Sequence, residues 1–140
     1  MKTRKVKTDR QRVIAINDKL ALKILRIKQR GRCQRCGSSS SSCNWHHIFS
    51  RRYIITRWDE ENLLLLCFGC HFNYAHSKIE EFRDFVISKM GNVKYMLLKK
   101  KALSVRPMKI GDLKMVRVIL EQELKGLSNE KAKPEPDLSM

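Results

Sequence analysis

The chain has 140 residues, 42% hydrophobic and 31% charged, which excludes fibrous and low-complexity classes and fits one domain or one domain with arms. Thirty lysines and arginines against fourteen acids give a net charge of +16, a surplus that points to a polyanion such as nucleic acid ahead of a membrane. No apolar run approaches the roughly 18 residues of a membrane span.

The basic excess is unevenly placed. Residues 1–32 hold twelve basic and two acidic side chains, residues 33–78 five and three, and residues 79–127 eleven and six. The N-terminal stretch MKTRKVKTDRQR is basic, but no apolar h-region follows it, so an intracellular, cytoplasmic protein is expected. From Arg10 to Arg30, Val13, Ile16, Leu20, Ile24 and Ile27 recur at helical spacing, with Ile14, Ala21 and Leu25 beside them. The opposite face carries Arg12, Lys19, Lys23, Arg26 and Arg30, either a solvated surface or a phosphate contact. Gly31 is the expected stop.

CQRCG (33–37) and a serine run at 38–42, read as a flexible loop tip, come next. CNWHHIFSRRY (43–53) holds a short strand, NWHHI, and NLLLLC (62–67) a second one. CFGC (67–70) leads into CHFNYAHSKIEEF, which reads as a helix. Ile79, Phe82, Phe85, Val86 and Met90 continue that helical face as far as a break at Gly91-Asn92. Val93 to Leu103 is helical, Arg106-Pro107 breaks it, and Asp112 is the expected cap of a last helix to about Leu127, striped by Leu113, Val116, Leu120 and Leu124. The polar, proline-containing end, residues 128–140, reads as a disordered tail. The order strand, strand, helix between helical flanks makes the fold class α+β and mostly helical. The expected units are an N-terminal arm and helix (1–32), a core (33–90), C-terminal helices (91–127) and the tail.

All five cysteines and all four histidines fall between Cys33 and His76. In a reducing compartment this favours metal over disulfides. Cys33/Cys36 and Cys67/Cys70 are two C-x2-C knuckles, the spacing that sets two thiolates for tetrahedral Zn2+. Four thiolates leave no position for water, so this zinc is structural, and such a site contributes on the order of 10 kcal/mol to folding. Thirty residues separate Cys36 from Cys67, against about 15–20 in a plain zinc ribbon, and the insert holds the paired histidines. Cys43 lies outside both knuckles and reads as a small, partly buried thiol.

Neighbouring strand side chains face opposite ways, so His46 and His47 are expected to do different jobs, one on a metal and one on a water. His71 and His76 can reach the same cleft. Imidazole is a general base near neutral pH, and a divalent cation offsets charge on a phosphodiester transition state. Arg51, Arg52, Arg57 and Lys78 are the candidate nucleic-acid contacts, with plain solvated charge as the alternative.

HHI (46–48), Asn62 and the C-x2-C-H ending at His71 resemble the His-Asn-His signature of the HNH endonucleases, the ββα-metal fold. The four-cysteine frame resembles the zinc-stapled branch of that superfamily, and HHIFSRRYIITRWDEENLLLLCFGCH is similar to phage recombination endonucleases of the NinG/Rap kind. The likeness covers about residues 33–90. It implies a zinc-stapled ββα-metal core in which His47 is the general base and His46 and His71 bind one catalytic cation, Mg2+ or Mn2+. It implies that Asn62 ties the catalytic loop to the second strand. His76 is the candidate third ligand, although it stands five residues after His71 where many relatives place the ligand four after. Relatives of the phage type often have Asp where this chain has Asn44, which leaves ligation at the first strand open. Implied products are a 3′-hydroxyl and a 5′-phosphate.

The expected function is therefore a metal-dependent DNA endonuclease, tilted toward branched or structured DNA in phage recombination or replication, as monomer or homodimer, in the host cytoplasm if phage-encoded. A non-catalytic zinc-stabilised DNA-binding module, a site-specific nicking enzyme and an RNA-processing nuclease are the alternatives.

Overall fold

The computed structural model describes residues 3–39, 41–104 and 106–132. Its first helix, α1, runs from Asp9 to Lys28. Thr8 caps it reciprocally with Gln11: Thr8 Oγ1 accepts the Gln11 amide at 3.2 Å, and the Thr8 amide donates to Gln11 Oε1 at 3.0 Å. Arg30 and Gly31 then take positive φ values of 53° and 63° and turn the chain out of the helix. The buried line of α1 is Val13, Asn17, Ala21, Ile24 and Leu25. Ile16 and Ile27, expected at its centre, lie at its margins.

Asn44–His47 (β1) and Leu63–Leu66 (β2) pair antiparallel, with His46 opposite Leu64 and His47 opposite Leu63. All four β2 leucines are buried, so the hairpin is the centre of the core. The outer edge of β2 is closed without a third strand. Gln29 Oε1 accepts the Leu65 amide at 2.7 Å, Gln29 Nε2 donates to the Leu63 carbonyl at 3.3 Å, and the Gln34 amide donates to the Leu65 carbonyl at 2.8 Å. An otherwise open sheet edge is thereby satisfied.

After β2 come a short helix, α2 (Phe68–Cys70), a π turn (His71–Ala75), α3 (Ile79–Met90), α4 (Asn92–Leu103) and α5 (Ile110–Lys131). The chain is thus α+β and mostly helical, with a two-stranded sheet. Gly91, at φ 89°, makes the break between α3 and α4.

Several expectations need correction. The helix read through CHFNYAHSKIEEF is interrupted by the π turn and by the residues before Ile79. Asp112 does cap α5, but from its third residue and not from the position before it: its carboxylate accepts the Lys109 amide at 2.8 Å. Residues 128–131, read as tail, continue α5; residues 133–140 lie outside the described residues. Ser38 and Ser39 are ordered parts of the first knuckle, not a loop tip: the Ser38 carbonyl accepts the Cys33 amide at 2.9 Å, and Ser39 bridges Arg32.

The flanking helices complete one core. α1 and α5 lie along each other, with Leu113 and Leu120 buried and Val116, Leu124 and Leu127 packed on the central cluster. Asn17 Nδ2 donates to the Leu113 carbonyl at 3.0 Å, and Lys28 bridges Glu60 and Glu123. The N-terminal helix is therefore part of the body and not a free arm. Among the described residues no helix is long and apolar enough to cross a membrane.

Candidate metal centres and the histidine cleft

Each knuckle is held by its own backbone. In the first, the Gly37 amide donates to the Cys33 carbonyl at 2.9 Å and Gly37 takes φ 75°, which favours glycine. In the second, the Cys70 amide points at Cys67 Sγ, 3.4 Å away. The four sulfurs of Cys33, Cys36, Cys67 and Cys70 lie within 4.8 Å of one another, and Cys36 and Cys67 are 3.7 Å apart. Tetrahedral zinc with bonds of about 2.3 Å needs sulfurs roughly 3.8 Å apart, so the donor set and spacing fit structural zinc. Hydrogen bonds from Ser38 hold the exposed Cys36 thiol down, to about 6, while burial pushes Cys70 up to about 12. Arg35 Nη1 stands 3.5 Å from Cys70 Sγ, its guanidinium over the Tyr74 ring at 3.4 Å. A fixed cation there offsets the negative charge of a four-thiolate site. Cys43 is buried outside this group, its thiol directed at the Ser38 carbonyl.

A second cluster faces a cleft of about 710 Å3. The ligand nitrogens of His46, His71 and His76 lie within 4.8 Å of one another. Strand β1 supplies His46, and the π turn supplies His71 at its start and His76 as the residue that caps its end. The His76 amide bonds to the His71 carbonyl at 3.2 Å, five residues back, and this brings their ring centroids to 4.7 Å. Burial, followed by the nearby His71, His76 and His47, pushes His46 down to about 3, and burial lowers His71 as well. Both are neutral imidazoles at pH 7, the form that binds a metal.

His47 projects from the other side of the hairpin and lines the same cleft. Its Nε2 is 3.0 Å from the Arg57 carbonyl. A carbonyl only accepts, so Nε2 carries the proton and Nδ1 keeps the lone pair. Burial holds the His47 pKa below its usual value.

The loop between the strands is tied down at two points. Buried Asn62 donates from Nδ2 to the carbonyls of Phe49 (3.0 Å) and Thr56 (2.9 Å), and its Oδ1 accepts the Phe49 amide at 2.7 Å. Asp18 of α1 takes Arg57 bidentately, at 2.9 and 2.7 Å, and Trp58 Nε1 at 2.8 Å. Asp18 therefore anchors the residue whose carbonyl orients His47.

Among the four cations expected to meet nucleic acid, Arg51 lines the cleft. Arg57 is committed to Asp18 and to the Arg51 carbonyl, so it is a positioning group and not a free cation. Arg52 turns onto Tyr53, and Lys78 lies 4.0 Å from Glu81. Arg83 of α3 also lines the cleft. Sequence reading missed Arg83 and Asp18; a single acid breaking the basic face of α1 was the only trace of the latter.

No family model, curated protein or solved structure matches the chain.

Proposed function

We propose that this protein is a metal-dependent DNA endonuclease of the HNH (ββα-metal) kind, in which the four cysteines hold a structural zinc and the histidine cleft hydrolyses a phosphodiester. The observation that carries this is the division of labour between adjacent strand residues. His46 joins a three-imidazole cluster, while His47, with Nε2 on the Arg57 carbonyl, faces the same cleft with a free lone pair.

The three imidazoles fit a divalent ion, and their nitrogen donors favour transition metals such as Mn2+, Ni2+ or Zn2+ over Mg2+, which prefers oxygen. Bound there, the ion would act as a Lewis acid toward a phosphoryl oxygen and the leaving oxygen. His47 Nδ1 takes the proton of the attacking water. Asn62 and Asp18 hold the loop that presents His47. Arg51 and Arg83 attract the phosphate backbone, and the net charge of +16 supplies sequence-independent affinity that weakens steeply with salt.

The test is incubation of zinc-loaded protein with supercoiled plasmid in Mn2+, Ni2+ or Mg2+. Nicked or linear DNA that requires added divalent ion supports this reading. Intact DNA at every ion, with the protein bound to it, would favour a non-catalytic binding module.

A further inference from the structure

Two phenylalanines stand at the surface beside the histidine cluster, Phe68 at the start of α2 and Phe72 in the π turn. Phe68 and Phe72, one helical turn apart, have ring centroids 4.7 Å apart and remain 64% and 50% exposed. Phe72 is at the same time 4.8 Å from the His71 ring and 5.9 Å from the His76 ring, centroid to centroid. The pair forms an apolar shelf whose inner edge touches the candidate ligand rings. Neither ring belongs to the core cluster, although burial of so large an apolar side chain is favourable.

We propose that Phe68 and Phe72 stack against an unpaired base of a DNA strand next to the bond to be cut, so that DNA with single-stranded or splayed bases is preferred over continuous duplex. This rests on the nuclease reading of the histidine cleft. Stacking of a base on an aromatic side chain is worth about 1–3 kcal/mol and is tolerant of sequence. Only a base outside the duplex stack has a free face. Phe72 borders His71 and His76, which line the cleft together with Arg51 and Arg83, on a chain of net charge +16. Cationic groove and aromatic shelf side by side suit a polyanion that exposes rings.

The experiment measures affinity by fluorescence anisotropy with a zinc-loaded His47→Ala chain and three labelled DNAs: a duplex, the same duplex with a single-stranded flap, and that flap with abasic sites nearest the junction. The flap is expected to bind about tenfold tighter than the duplex or the abasic flap, the range of one stacked base. The double variant Phe68→Ala, Phe72→Leu should lose that preference with duplex affinity unchanged, and Phe68→Tyr, Phe72→Tyr should keep it. Equal affinity for the flap and the abasic flap overturns the proposal, and that comparison needs no shelf variant to fold. Equal losses on duplex and flap also overturn it, as does tighter binding of an RNA flap. The two readings fail separately. Base-dependent flap binding without cleavage by the native chain removes the nuclease and keeps the shelf; cleavage without base dependence does the reverse.

Discussion

His71 and His76 meet ring to ring although they stand five positions apart, because the chain between them makes a π turn. On an α-helix, at about 100° per residue, a side chain five positions on points roughly 140° away. The inserted residue restores the face that the spacing would otherwise lose, and π turns of this kind concentrate at functional sites. His76→Ala should therefore weaken Ni2+ or Zn2+ binding at the histidine cluster by about 10–100-fold, within the range for losing a group that sets a metal site. Calorimetric titration of the zinc-loaded chain checks this. Unchanged affinity would mean that His76 is no ligand.

Asp18 reaches His47 through Arg57. Asp18→Asn keeps one acceptor but loses the charge that pairs with the guanidinium, in an ion pair largely shielded from water. The expected stability cost is about 1–2 kcal/mol. Cleavage should fall by more than this destabilisation explains, because Arg57 no longer holds its carbonyl still. Urea denaturation and single-turnover cleavage on the same preparation separate the two effects. Native cleavage rates at reduced stability would make Asp18 a structural anchor alone.

His46 makes stability depend on pH with a defined sign. Its folded pKa lies at about 3, below the ordinary value of about 6.5, so between these the unfolded chain binds a proton that the folded chain refuses. Stability is fully present above about pH 6.5 and declines as pH falls toward 3. His46→Leu removes this contribution. The urea midpoint should then drop less between pH 7 and pH 5 in His46→Leu than in the native chain; equal drops would contradict the burial of His46 as a neutral ring.

The cysteines separate cleanly. Cys33→Ala should release the structural zinc and unfold the chain, since a site of this kind supplies on the order of 10 kcal/mol. Cys43→Ala should keep one zinc per chain and cost about 1 kcal/mol, as expected for trimming a small buried side chain. Zinc release to a chromogenic chelator, followed alongside circular dichroism, distinguishes them. Loss of zinc from Cys43→Ala would place that thiol in the metal site.

Much of the core was legible because its signals are local. The knuckle spacing of Cys33/Cys36 and Cys67/Cys70 survives in space, and the alternation of His46 and His47 follows from strand geometry alone. Asn62 fastens the loop ahead of β2 through its side-chain amide. What was not legible depends on distant partners. Nothing near Asp18 in the chain announces Arg57 and Trp58, thirty-nine and forty positions on. Arg57 looked like a free cation for the same reason. The π turn was hidden because one inserted residue leaves no mark in composition, and it shows only in space, where His71 and His76 both meet His46. The pairing of α1 with α5 left its mark as two apolar stripes with no indication that they face each other.

The central claim is that His47, and not the three-histidine cluster alone, carries out the proton transfer. Single-turnover cleavage of a labelled DNA by native chain and His47→Ala, both zinc-loaded and at matched divalent ion and salt, tests it most directly. The account predicts that His47→Ala binds the DNA and its metal as the native chain does and cuts it at least 100-fold more slowly, the low end for loss of a general base. Cleavage by His47→Ala at the native rate would contradict it.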